Sequence, residues 1–466
     1  MQNQKPSSEI SRQIERARVA MEHYENTSQE RVDEAVTAIA WSLYKPEHAK
    51  LLAEMAVAKT GLGNVDSKII KNRRKTFGTL RDLMRVKTVG MIEDNPQQGL
   101  VKYAKPVGVV GAVTPSTNPS ATPVNKAMMA LKGGNSVIIA PSPAAFDVSK
   151  KTVEFMRRAL TQSGHPEDLV QILSPPISKE STGQLIEHCD LCVVTGSQNN
   201  VRRAMSSGTV TIAVGAGNVP VIIDKTADLD DAAQKITKSK TFDNATSCSS
   251  ENALIIVDEI YRATLQALKK CGAYLANENE KLKIKQTLWQ NGQLNRHAIA
   301  KDASVLANLA GLGREARSAN YFLVEEEKIE PHSFADEKLS LILTIYRARD
   351  FNEAKDLCKQ ILKIKGIGHS VGIHSHDEQH IDALAREIDV VRVLVNQAHT
   401  FGNGGSFDNA LPFTLSMGCG TWAGNSISEN LNWKHFVNIT HLVKTIAPDQ
   451  PSEDSLFAKH WDKYGR

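Results

Sequence analysis

The 466-residue sequence lacks any apolar run near the length of about 18 residues that a membrane-spanning helix needs. Its N-terminus, MQNQKPSSEISRQIERARVAM, has no apolar core of the kind that a secretory signal contains. The six cysteines are too few to form a disulfide framework in a chain of this length. We therefore expect a cytoplasmic protein that does not associate with a membrane.

An excess of charge of one sign is also absent. The 56 Lys and Arg residues nearly balance the 52 Asp and Glu residues, which leaves a net charge of +4. That excess is too small to indicate a nucleic-acid partner. The densest basic stretch, residues 68–75 (KIIKNRRK), is interpreted as the solvated face of a helix.

Two common binding signatures are missing as well. The fingerprint G-x-G-x-x-G does not occur, so a dinucleotide would have to be held by another arrangement. Cys189 and Cys192 form a single C-x-x-C pair, at the entry to an apolar run that reads as a buried strand. Side chains three residues apart on a strand point to opposite faces. We therefore expect no metal site.

The sequence does contain two series of short apolar runs, separated by polar segments that are long enough for helices. The first series comprises GVVGAV (108–113), SVIIAP (136–141), LVQILS (169–174), LCVVTG (191–196), TIAVGAG (211–217) and VPVIID (219–224). The second series comprises ALIIV (253–257), LTIYRA (343–348), HSVGIHS (369–375) and VVRVLVN (390–396). Such spacing is typical of βαβ units that form parallel sheets buried on both faces.

These patterns predict an α/β fold with two domains, residues 1–245 and residues 246–428, each built on a parallel sheet. The N-terminal part of the first domain reads as helical and amphipathic. Residues 429–466 contain a late strand without a local partner, followed by a polar tail. An unpaired strand indicates pairing with another element of the chain or with another subunit.

The turn PSTNP (115–119) follows the first predicted strand and precedes a helical segment. Its amide side chain, Asn118, can cap that helix or donate a hydrogen bond to an oxygen that acquires charge. Both interpretations stay open on spacing alone.

Small residues follow other strands of the first series. Ser142 and Pro143 follow the second strand, and Gly196 and Ser197 follow the fourth. Helix N-termini at this edge of a parallel sheet accept phosphate readily. The glycines of GAGN (215–218) let a ligand approach the backbone closely.

Cys248 lies in the polar sequence FDNATSCSSEN, at the junction of the two predicted domains. A structural cysteine would normally lie inside an apolar run, as Cys192 does. In a polar loop, backbone N–H groups can stabilise a thiolate. The residues alone leave a nucleophile and an inert thiol as equal alternatives.

Several motifs together resemble those of the aldehyde dehydrogenase superfamily. They are KTFDNATSCSSE around Cys248, the upstream GAGN and PSTNP, and the downstream DEKLS (336–340), GIGH (366–369) and GCGTWAGNS (418–426). More narrowly, the pattern resembles the coenzyme A-acylating branch, including the aldehyde dehydrogenase half of bifunctional aldehyde–alcohol dehydrogenases. The resemblance runs in order from about residue 10 to about residue 445, which is nearly the whole chain.

The resemblance implies an aldehyde dehydrogenase-like fold and a catalytic mechanism. Cys248 would attack the aldehyde to form a thiohemiacetal, and Asn118 with the backbone N–H of Cys248 would form the oxyanion hole. Hydride would pass to the nicotinamide of NAD or NADP, which leaves a thioester on the cysteine. His369, in the G-x-G-H context of acylating relatives, would deprotonate the incoming thiol. The alternative for His369 is a satisfied histidine at the start of a buried strand.

The resemblance also assigns the domains and the cofactor site. Residues 1–245 would bind the cofactor, residues 246–428 would carry the nucleophile, and residues 92–105 and 429–466 would form the oligomerisation segment. Glu337 would hold the nicotinamide ribose. The residues expected at the cofactor are Ser116, Thr117, Ser142, Pro143, Gly196, Ser197, Gly215, Ala216, Gly217, Asn218 and Glu337.

One departure from the family pattern indicates the acyl acceptor. Hydrolytic aldehyde dehydrogenases carry a glutamate base in an E-L-G-G motif, whereas residues 214–217 read VGAG and contain no carboxylate. Without a base for water, hydrolysis of the thioester is slow, and a thiol attacks as thiolate with less help. Coenzyme A is therefore the expected acceptor.

The sequence indicates the aldehyde substrate less clearly than it indicates the acyl acceptor. Acylating relatives act on acetaldehyde, propanal, succinic semialdehyde and sulfoacetaldehyde, and residues 406–413 (SFDNALPF) resemble the sulfoacetaldehyde and succinic semialdehyde members. We expect sulfoacetaldehyde, with acetaldehyde as the alternative. An anionic aldehyde requires cationic or donor side chains in its pocket, and Asn125, Lys126 and His399 are candidates.

Two further expectations concern partners. NAD and NADP both stay open, because no carboxylate follows Ser142 until Asp147. The resemblance implies a homo-oligomer, a dimer or a tetramer. Residues 8–24 are interpreted as the first helix of the domain, with docking to a microcompartment shell as the alternative.

Overall fold

The computed structural model describes residues 8–24, 27–196 and 198–466 of the chain. Its α-helices, in chain order, are α1 (Ser8–Glu22), α2 (Gln29–Tyr44), α3 (Pro46–Thr60), α4 (Val65–Met84), α5 (Ala121–Lys132), α6 (Phe146–Gln162), α7 (Lys179–His188), α8 (Gln198–Met205), α9 (Leu229–Thr241), α10 (Tyr261–Lys270), α11 (Glu278–Leu288), α12 (Ala303–Leu309), α13 (Arg314–Arg317), α14 (Phe351–Ile364), α15 (Glu378–Glu387), α16 (His399–Gly402) and α17 (Glu453–Tyr464). Across these described ranges, no helix combines the length and the apolar character needed to cross a membrane.

The β-strands, in chain order, are β1 (Gly90–Asn95), β2 (Leu100–Pro106), β3 (Val109–Thr114), β4 (Ser136–Pro141), β5 (Val170–Ile172), β6 (Leu191–Val194), β7 (Thr211–Ala213), β8 (Val219–Ile223), β9 (Glu251–Val257), β10 (Ala273–Leu275), β11 (Trp289–Gln290), β12 (Gln293–Leu294), β13 (Tyr321–Glu325), β14 (Ile342–Ala348), β15 (Gly368–His374), β16 (Val390–Val395) and β17 (Val437–Val443).

Two parallel sheets organise the core, as the alternating apolar runs predicted. The five-stranded sheet has the order β5-β4-β3-β6-β7, and the seven-stranded sheet has the order β10-β13-β14-β9-β8-β15-β16. Alternate residues of β3 belong to different apolar clusters, Val110 and Ala112 to one and Val109 and Val113 to the other. An apolar run without polar alternation therefore forms a strand buried on both faces. The α/β fold class is confirmed.

Helix α1 covers one face of the five-stranded sheet. Ile10 and Ala17 are buried in the same cluster as Val109 and Val113. The Gln13 side chain donates to the carbonyl of Ile172 at 2.8 Å. The helix therefore packs as the first helix of the fold, in agreement with the preferred interpretation of residues 8–24.

Strand β8 corrects the expected organisation. The sequence series placed VPVIID in the first domain, but β8 pairs in parallel with β9 and β15 in the seven-stranded sheet. The chain therefore passes from one sheet to the other between Ala213 and Val219, not near residue 245. Six successive apolar runs look alike in sequence, because burial on both faces imposes the same composition in either sheet.

The late strand β17 finds its partner within the same chain. It pairs antiparallel with β2, which also pairs with β1, so the three strands form a small separate sheet. Pairing with another element of the chain is therefore confirmed, whereas pairing of the other edge of β17 with a neighbouring subunit stays a prediction. The predicted segments 92–105 and 429–466 are joined by this sheet.

Helix α4 runs between the two halves and corrects the interpretation of the basic stretch. Lys68, Lys71 and Lys75 are 3%, 6% and 8% exposed, so they do not form a solvated face. Gly78 lies against the ring of Phe413, where a Cβ atom would come within 2.3 Å of the ring carbons. The helix thus packs its cationic side inwards, towards the loop that carries Cys248.

The Cys189–Cys192 pair also differs from expectation. Cys189 ends helix α7 and only Cys192 lies in a strand, β6. Their side chains therefore meet instead of diverging, and a hydrogen bond from Cys189, followed by burial, raises the pKa of Cys192 well above its ordinary value. Both thiols are free and buried.

Candidate active site

Cys248 lies in a tight loop between helix α9 and strand β9 of the seven-stranded sheet. Just before it, Asp243, Asn244 and Ala245 have φ angles of 51°, 52° and 57°. Left-handed backbone at residues other than glycine costs about 1–3 kcal/mol per residue and persists only where surrounding contacts enforce it. The loop therefore requires strong anchoring, and Asp243 supplies most of it.

The carboxylate of Asp243 is fully buried and accepts several hydrogen bonds. Donors are the backbone N–H of Asn64 at 3.0 Å, Lys68 Nζ at 3.1 Å, Thr246 Oγ1 at 2.8 Å and Lys71 Nζ. Burial alone would raise the pKa of Asp243, but the two lysines outweigh that effect and hold the pKa below its usual range. The aspartate is therefore a charged anchor that joins α4 to the nucleophile loop.

Lys71 also orients Asn118. Its Nζ donates to Asn118 Oδ1 at 2.8 Å, so the amide oxygen is occupied and the amide nitrogen is left to face other groups. Helix α5 has Ser120 at its N-cap, and the Asn118 side chain does not cap it. Asn118 lines one cavity with Ser247 and Ser249, the two neighbours of Cys248. This geometry favours the oxyanion-donor interpretation of Asn118 over the cap.

The GAGN segment packs directly against the nucleophile. A Cβ atom at Gly217 would lie 2.0 Å from the carbonyl oxygen of Cys248, so only glycine fits there. The Gly215 N–H donates to Asn425 Oδ1 at 2.9 Å, and the same oxygen accepts from the N–H of Cys419 at 2.9 Å. The GAGN and GCGTWAGNS motifs therefore meet at Cys248, with no carboxylate in residues 214–217.

Glu337 shares a small cavity with Cys248. Glu337 pairs with Lys365 Nζ at 3.1 Å, and both Cys248 and Glu337 line the same cavity. Burial first, and then the charges of Glu337 and Cys419, raise the pKa of Cys248 to about 12. In the free protein the thiol is therefore protonated at neutral pH.

This electrostatic arrangement makes a prediction for Cys248 reactivity. Glu337→Gln removes a negative charge, so the pKa of Cys248 should fall and alkylation by iodoacetamide near about pH 8 should become roughly three- to tenfold faster. Lys365→Met leaves the glutamate uncompensated and should slow the same reaction. The rate is measured by mass spectrometry of the Cys248 peptide. Changes in the same direction for the two variants would contradict the assignment.

The side chain of Asn218 forms hydrogen bonds that position the loop carrying Glu337, and it does not face a ligand. Its Nδ2 donates to the carbonyl of Ala335 at 2.9 Å, and its Oδ1 accepts from Asn252. Asn252 in turn donates to the carbonyl of Asp336 at 2.8 Å. The amides therefore fix the position of Glu337 relative to Cys248.

The residues predicted to bind the cofactor follow strands β3, β4 and β6. The carboxyl ends of these strands lie side by side in the sheet. Thr114 of β3 pairs with Pro141 of β4, and Val113 pairs with Val194 of β6. The predicted residues Ser116, Thr117, Ser142, Pro143 and Gly196 therefore lie at one edge of the five-stranded sheet; Ser197 lies outside the described residues. A ligand of the length of a dinucleotide can extend along such an edge.

Several features of that edge suit a phosphate-containing ligand. Within the described residues, Ser142 Oγ is buried without a hydrogen-bond partner. A Cβ atom at Gly196 would meet nothing within 4 Å in the described part of the chain, so the backbone there is open. The carbonyl of Thr117 is already occupied by Lys68 Nζ at 3.0 Å.

His369 is buried next to Ser370 in strand β15, and both residues belong to a short chain of hydrogen bonds. Its Nδ1 lies 2.8 Å from Ser370 Oγ, which lies 2.9 Å from His399 Nε2. Burial, and then the charge of Arg392, lower the pKa of His369 well below its ordinary value. Its Nε2 has no hydrogen-bond partner among the described residues. His369 is therefore neutral at physiological pH, with one nitrogen able to accept a proton.

The three sequence candidates for the aldehyde pocket are elsewhere. Asn125 donates to Thr79 Oγ1 at 2.9 Å, Lys126 donates to Ser416 Oγ, and His399 belongs to the Ser370 chain. The cavity beside Cys248 is lined instead by Lys71, Arg74, Lys75, Asn118, Phe242, Ser247, Ser249, Thr400, Phe401, Gly404, Thr414, Leu415 and Met417. The cationic residues of α4 were thus missed.

The sequence showed only that these cations share one helix face, and their burial became visible in the structure. Lys68, Lys71 and Lys75 recur at spacings of three and four, which places them on one helix face. Ile70 and Phe77 on the same helix are 49% and 51% exposed. An amphipathic helix whose apolar residues face solvent indicates that its cationic face has a specific buried partner.

Comparison with known proteins agrees with the fold. A profile described as the aldehyde dehydrogenase family matches residues 2–408. The chain therefore belongs to the aldehyde dehydrogenase family.

Individual relatives with high similarity to this chain belong to the acylating branch of the family. The chain is 48% identical over 455 residues to the sulfoacetaldehyde dehydrogenase (acylating) of Cupriavidus necator, which covers 97% of this chain and 92% of that protein. An acetylating aldehyde dehydrogenase from Geobacillus thermoglucosidasius superposes with a TM-score of 0.91 at 34% identity, covering 95% of this chain and 98% of that chain.

A third comparison includes a bound ligand. The propionaldehyde dehydrogenase of Rhodopseudomonas palustris, solved with coenzyme A and an acylated cysteine, has a TM-score of 0.83 and 28% identity. The alignment covers 93% of this chain and 97% of that chain. The resemblance to the acylating branch that the motifs indicated is confirmed.

Proposed function

We propose that this protein oxidises sulfoacetaldehyde with NAD or NADP and transfers the acyl group to coenzyme A, giving sulfoacetyl-coenzyme A. The observation that carries the reaction type is the contact of the GAGN backbone with Cys248, at which no carboxylate of residues 214–217 is present. The Cupriavidus necator relative and the cationic cavity support the choice of aldehyde.

In the proposed mechanism, Cys248 releases its proton to solvent, and the thiolate Sγ bonds to the aldehyde carbon. The amide nitrogen of Asn118, held in place by Lys71, and the N–H of Cys248 donate to the resulting oxyanion. Bound NAD or NADP would supply the hydride acceptor, and loss of hydride from this carbon would leave a thioester on Cys248. Ser142, Gly196, Gly217 and Glu337 are the residues proposed to hold the dinucleotide.

Release of the acyl group completes the cycle. His369 Nε2 is proposed to take the proton of the coenzyme A thiol, because that nitrogen is unpartnered among the described residues. The coenzyme A sulfur bonds to the acyl carbon, and the Cys248 thiolate leaves. Ser370 and His399 position the His369 ring through the hydrogen bonds described above.

The reaction type is tested by measuring whether the thioester on Cys248 is released by coenzyme A or by water. Reduced-cofactor formation from sulfoacetaldehyde should depend on coenzyme A in steady state. Without it, intact-protein mass spectrometry should detect one sulfoacetyl group retained on Cys248 after a single turnover. Equal steady-state rates with and without coenzyme A, accompanied by release of the free acid, would support a hydrolytic aldehyde dehydrogenase instead.

The same assay compares alternative aldehydes. Acetaldehyde, propanal and succinic semialdehyde each replace sulfoacetaldehyde, with NAD and with NADP as separate arms. Asp147, the first carboxylate after Ser142, pairs with Lys59 at 2.7 Å and is thereby partly neutralised, which supports acceptance of NADP. A higher kcat/KM for acetaldehyde than for sulfoacetaldehyde would overturn the proposed substrate.

The domain roles, the assembly and the location are proposals on the same basis. The five-stranded sheet is assigned to cofactor binding and the seven-stranded sheet to the nucleophile.

A homo-oligomer is supported by the exposed edge strand β17, where Ile439, Leu442 and Val443 are 37%, 41% and 73% exposed. Light scattering that gave a monomer at micromolar concentration would overturn it. The free cysteines support a reducing, cytoplasmic location.

A further inference from the structure

One wall of the cavity beside Cys248 is cationic. Helix α4 contributes Lys71, Arg74 and Lys75 to its lining, which also includes Ser247 and Ser249, the two neighbours of Cys248. Lys71 is already engaged by Asp243 and Asn118. The other two cations are therefore the ones available to a ligand.

Arg74 and Lys75 are held by neutral acceptors. Arg74 Nη2 donates to Ser406 Oγ at 2.7 Å, and Lys75 Nζ donates to the carbonyl of Gly404 at 2.6 Å. In the part of the chain that the structure describes, neither has a carboxylate within ion-pair distance. A buried cation without a counter-ion is costly, and an anion that enters the cavity removes that cost.

The pKa of Lys75 is also that expected of a buried amine without a counter-ion. Burial first, and then the charges of Arg74 and Lys71, lower the pKa of Lys75 well below its ordinary value. The negative charge of a Cys248 thiolate acts in the opposite direction on the same lysine, so Lys75 lies within electrostatic range of the nucleophile. An anion at this point would be close to the reacting carbon of a short aldehyde.

Aromatic rings fix the position of the guanidinium. The Arg74 Cζ lies 5.2 Å, 5.8 Å and 5.3 Å from the ring centroids of Phe401, Phe407 and Phe413. Cation–π contacts hold the planar group and exclude water from one side of it. A guanidinium fixed in this way presents its donors with little loss of side-chain entropy.

We propose that Arg74 and Lys75 form the subsite that binds the sulfonate of the aldehyde substrate and so determine its specificity. This refinement rests on the acylating dehydrogenase function proposed above. Arg74 donates to Ser406 Oγ and to the carbonyl of Phe401, and the N–H groups that remain on its guanidinium can donate to an anionic group together with the lysine ammonium. The substrate class is therefore a short aldehyde whose far end carries a strong-acid anion, within reach of Cys248.

The test compares two aldehydes in full-length variants. For Arg74→Met and Lys75→Met, kcat/KM for sulfoacetaldehyde relative to propanal should fall roughly 100-fold, mainly through KM of the anionic aldehyde. Arg73→Met is the matched control, because Arg73 is the adjacent residue of α4 and stacks on Tyr44 at 4.7 Å, outside the cavity. Its specificity ratio should equal that of the unmodified protein.

A second readout does not depend on turnover of the anionic aldehyde. Ethanesulfonate should inhibit propanal oxidation competitively in the unmodified protein and in Arg73→Met, and should lose that inhibition in Arg74→Met and Lys75→Met. Propanal oxidation that is insensitive to ethanesulfonate in the unmodified protein would overturn the subsite while leaving the dehydrogenase function intact. Absence of coenzyme A-dependent oxidation of every aldehyde would instead overturn the proposed function.

Discussion

Cys248→Ala is expected to lower coenzyme A-dependent cofactor reduction by roughly 10⁴-fold or more, because loss of a covalent nucleophile removes the thiohemiacetal and the thioester together. The substitution removes one sulfur atom from a half-buried position and leaves the anchors of the loop unchanged. Folding and cofactor binding should therefore persist. The measurement is the rate of cofactor reduction, with tryptophan fluorescence quenching by the dinucleotide as the binding readout.

A matched cysteine provides the control for Cys248→Ala. Cys271 is also half-buried but lies at the end of helix α10, away from the cavity. Cys271→Ala should keep its rate and should still acquire an acyl group, whereas Cys248→Ala should acquire none in intact-protein mass spectra. Acylation of the Cys248→Ala protein would assign the nucleophile to another residue, and an unchanged rate would support a thiol without a catalytic role.

Asp243→Asn is expected to lower the free energy of unfolding by about 3 kcal/mol, because it leaves two buried lysines without their common counter-ion. Asparagine tolerates the left-handed backbone that this position adopts, so the substitution changes charge without adding backbone strain. Activity should fall as well, since Lys71 would no longer be held where it orients Asn118. Denaturant unfolding at neutral pH measures the first effect.

The stability deficit of Asp243→Asn should also depend on pH. Burial, opposed by the charge of Asp243, lowers the pKa of Lys68 to about 8 in the unmodified protein, and removal of Asp243 lowers it further. The unfolded chain then binds more protons than the folded one, so the stability of the variant rises with pH. The deficit should shrink as the pH rises towards about 8 and level off above it, because Lys68 of the folded unmodified protein then loses its proton as well.

The control for Asp243→Asn comes from the same loop. Asp302 also anchors the loop, through a 2.8 Å hydrogen bond from Asn244 Nδ2, but it is exposed. Asp302→Asn keeps an acceptor oxygen and removes a solvated charge, so its stability should change by less than about 1 kcal/mol. Equal losses in the two variants would show that the buried charge of Asp243 is not the stabilising feature.

The chemistry of the nucleophile was accessible from the sequence because it depends on residue type within short motifs. Cys248 in a polar loop, the glycines near it and the missing carboxylate at residues 214–217 are all local features. The two parallel sheets were accessible for the same reason, since strands buried on both faces require continuous apolar runs. The structure places Asn118 in one cavity with Ser247 and Ser249, and Glu337 in another with Cys248. The catalytic roles that the resemblance implied for them stay predictions.

Other features depended on how distant segments pack. Lysines spaced by three and four residues look the same on a solvated helix as on α4, and only the contact with Asp243, 172 residues from Lys71, distinguishes the two cases. The sheet that β8 joins and the partner of β17 are likewise set by long-range pairing. Local sequence specifies which faces are apolar or charged, whereas burial of a charge is decided by the element that covers it. The cationic wall beside the nucleophile, which carries the proposed specificity, is therefore a property of the folded chain.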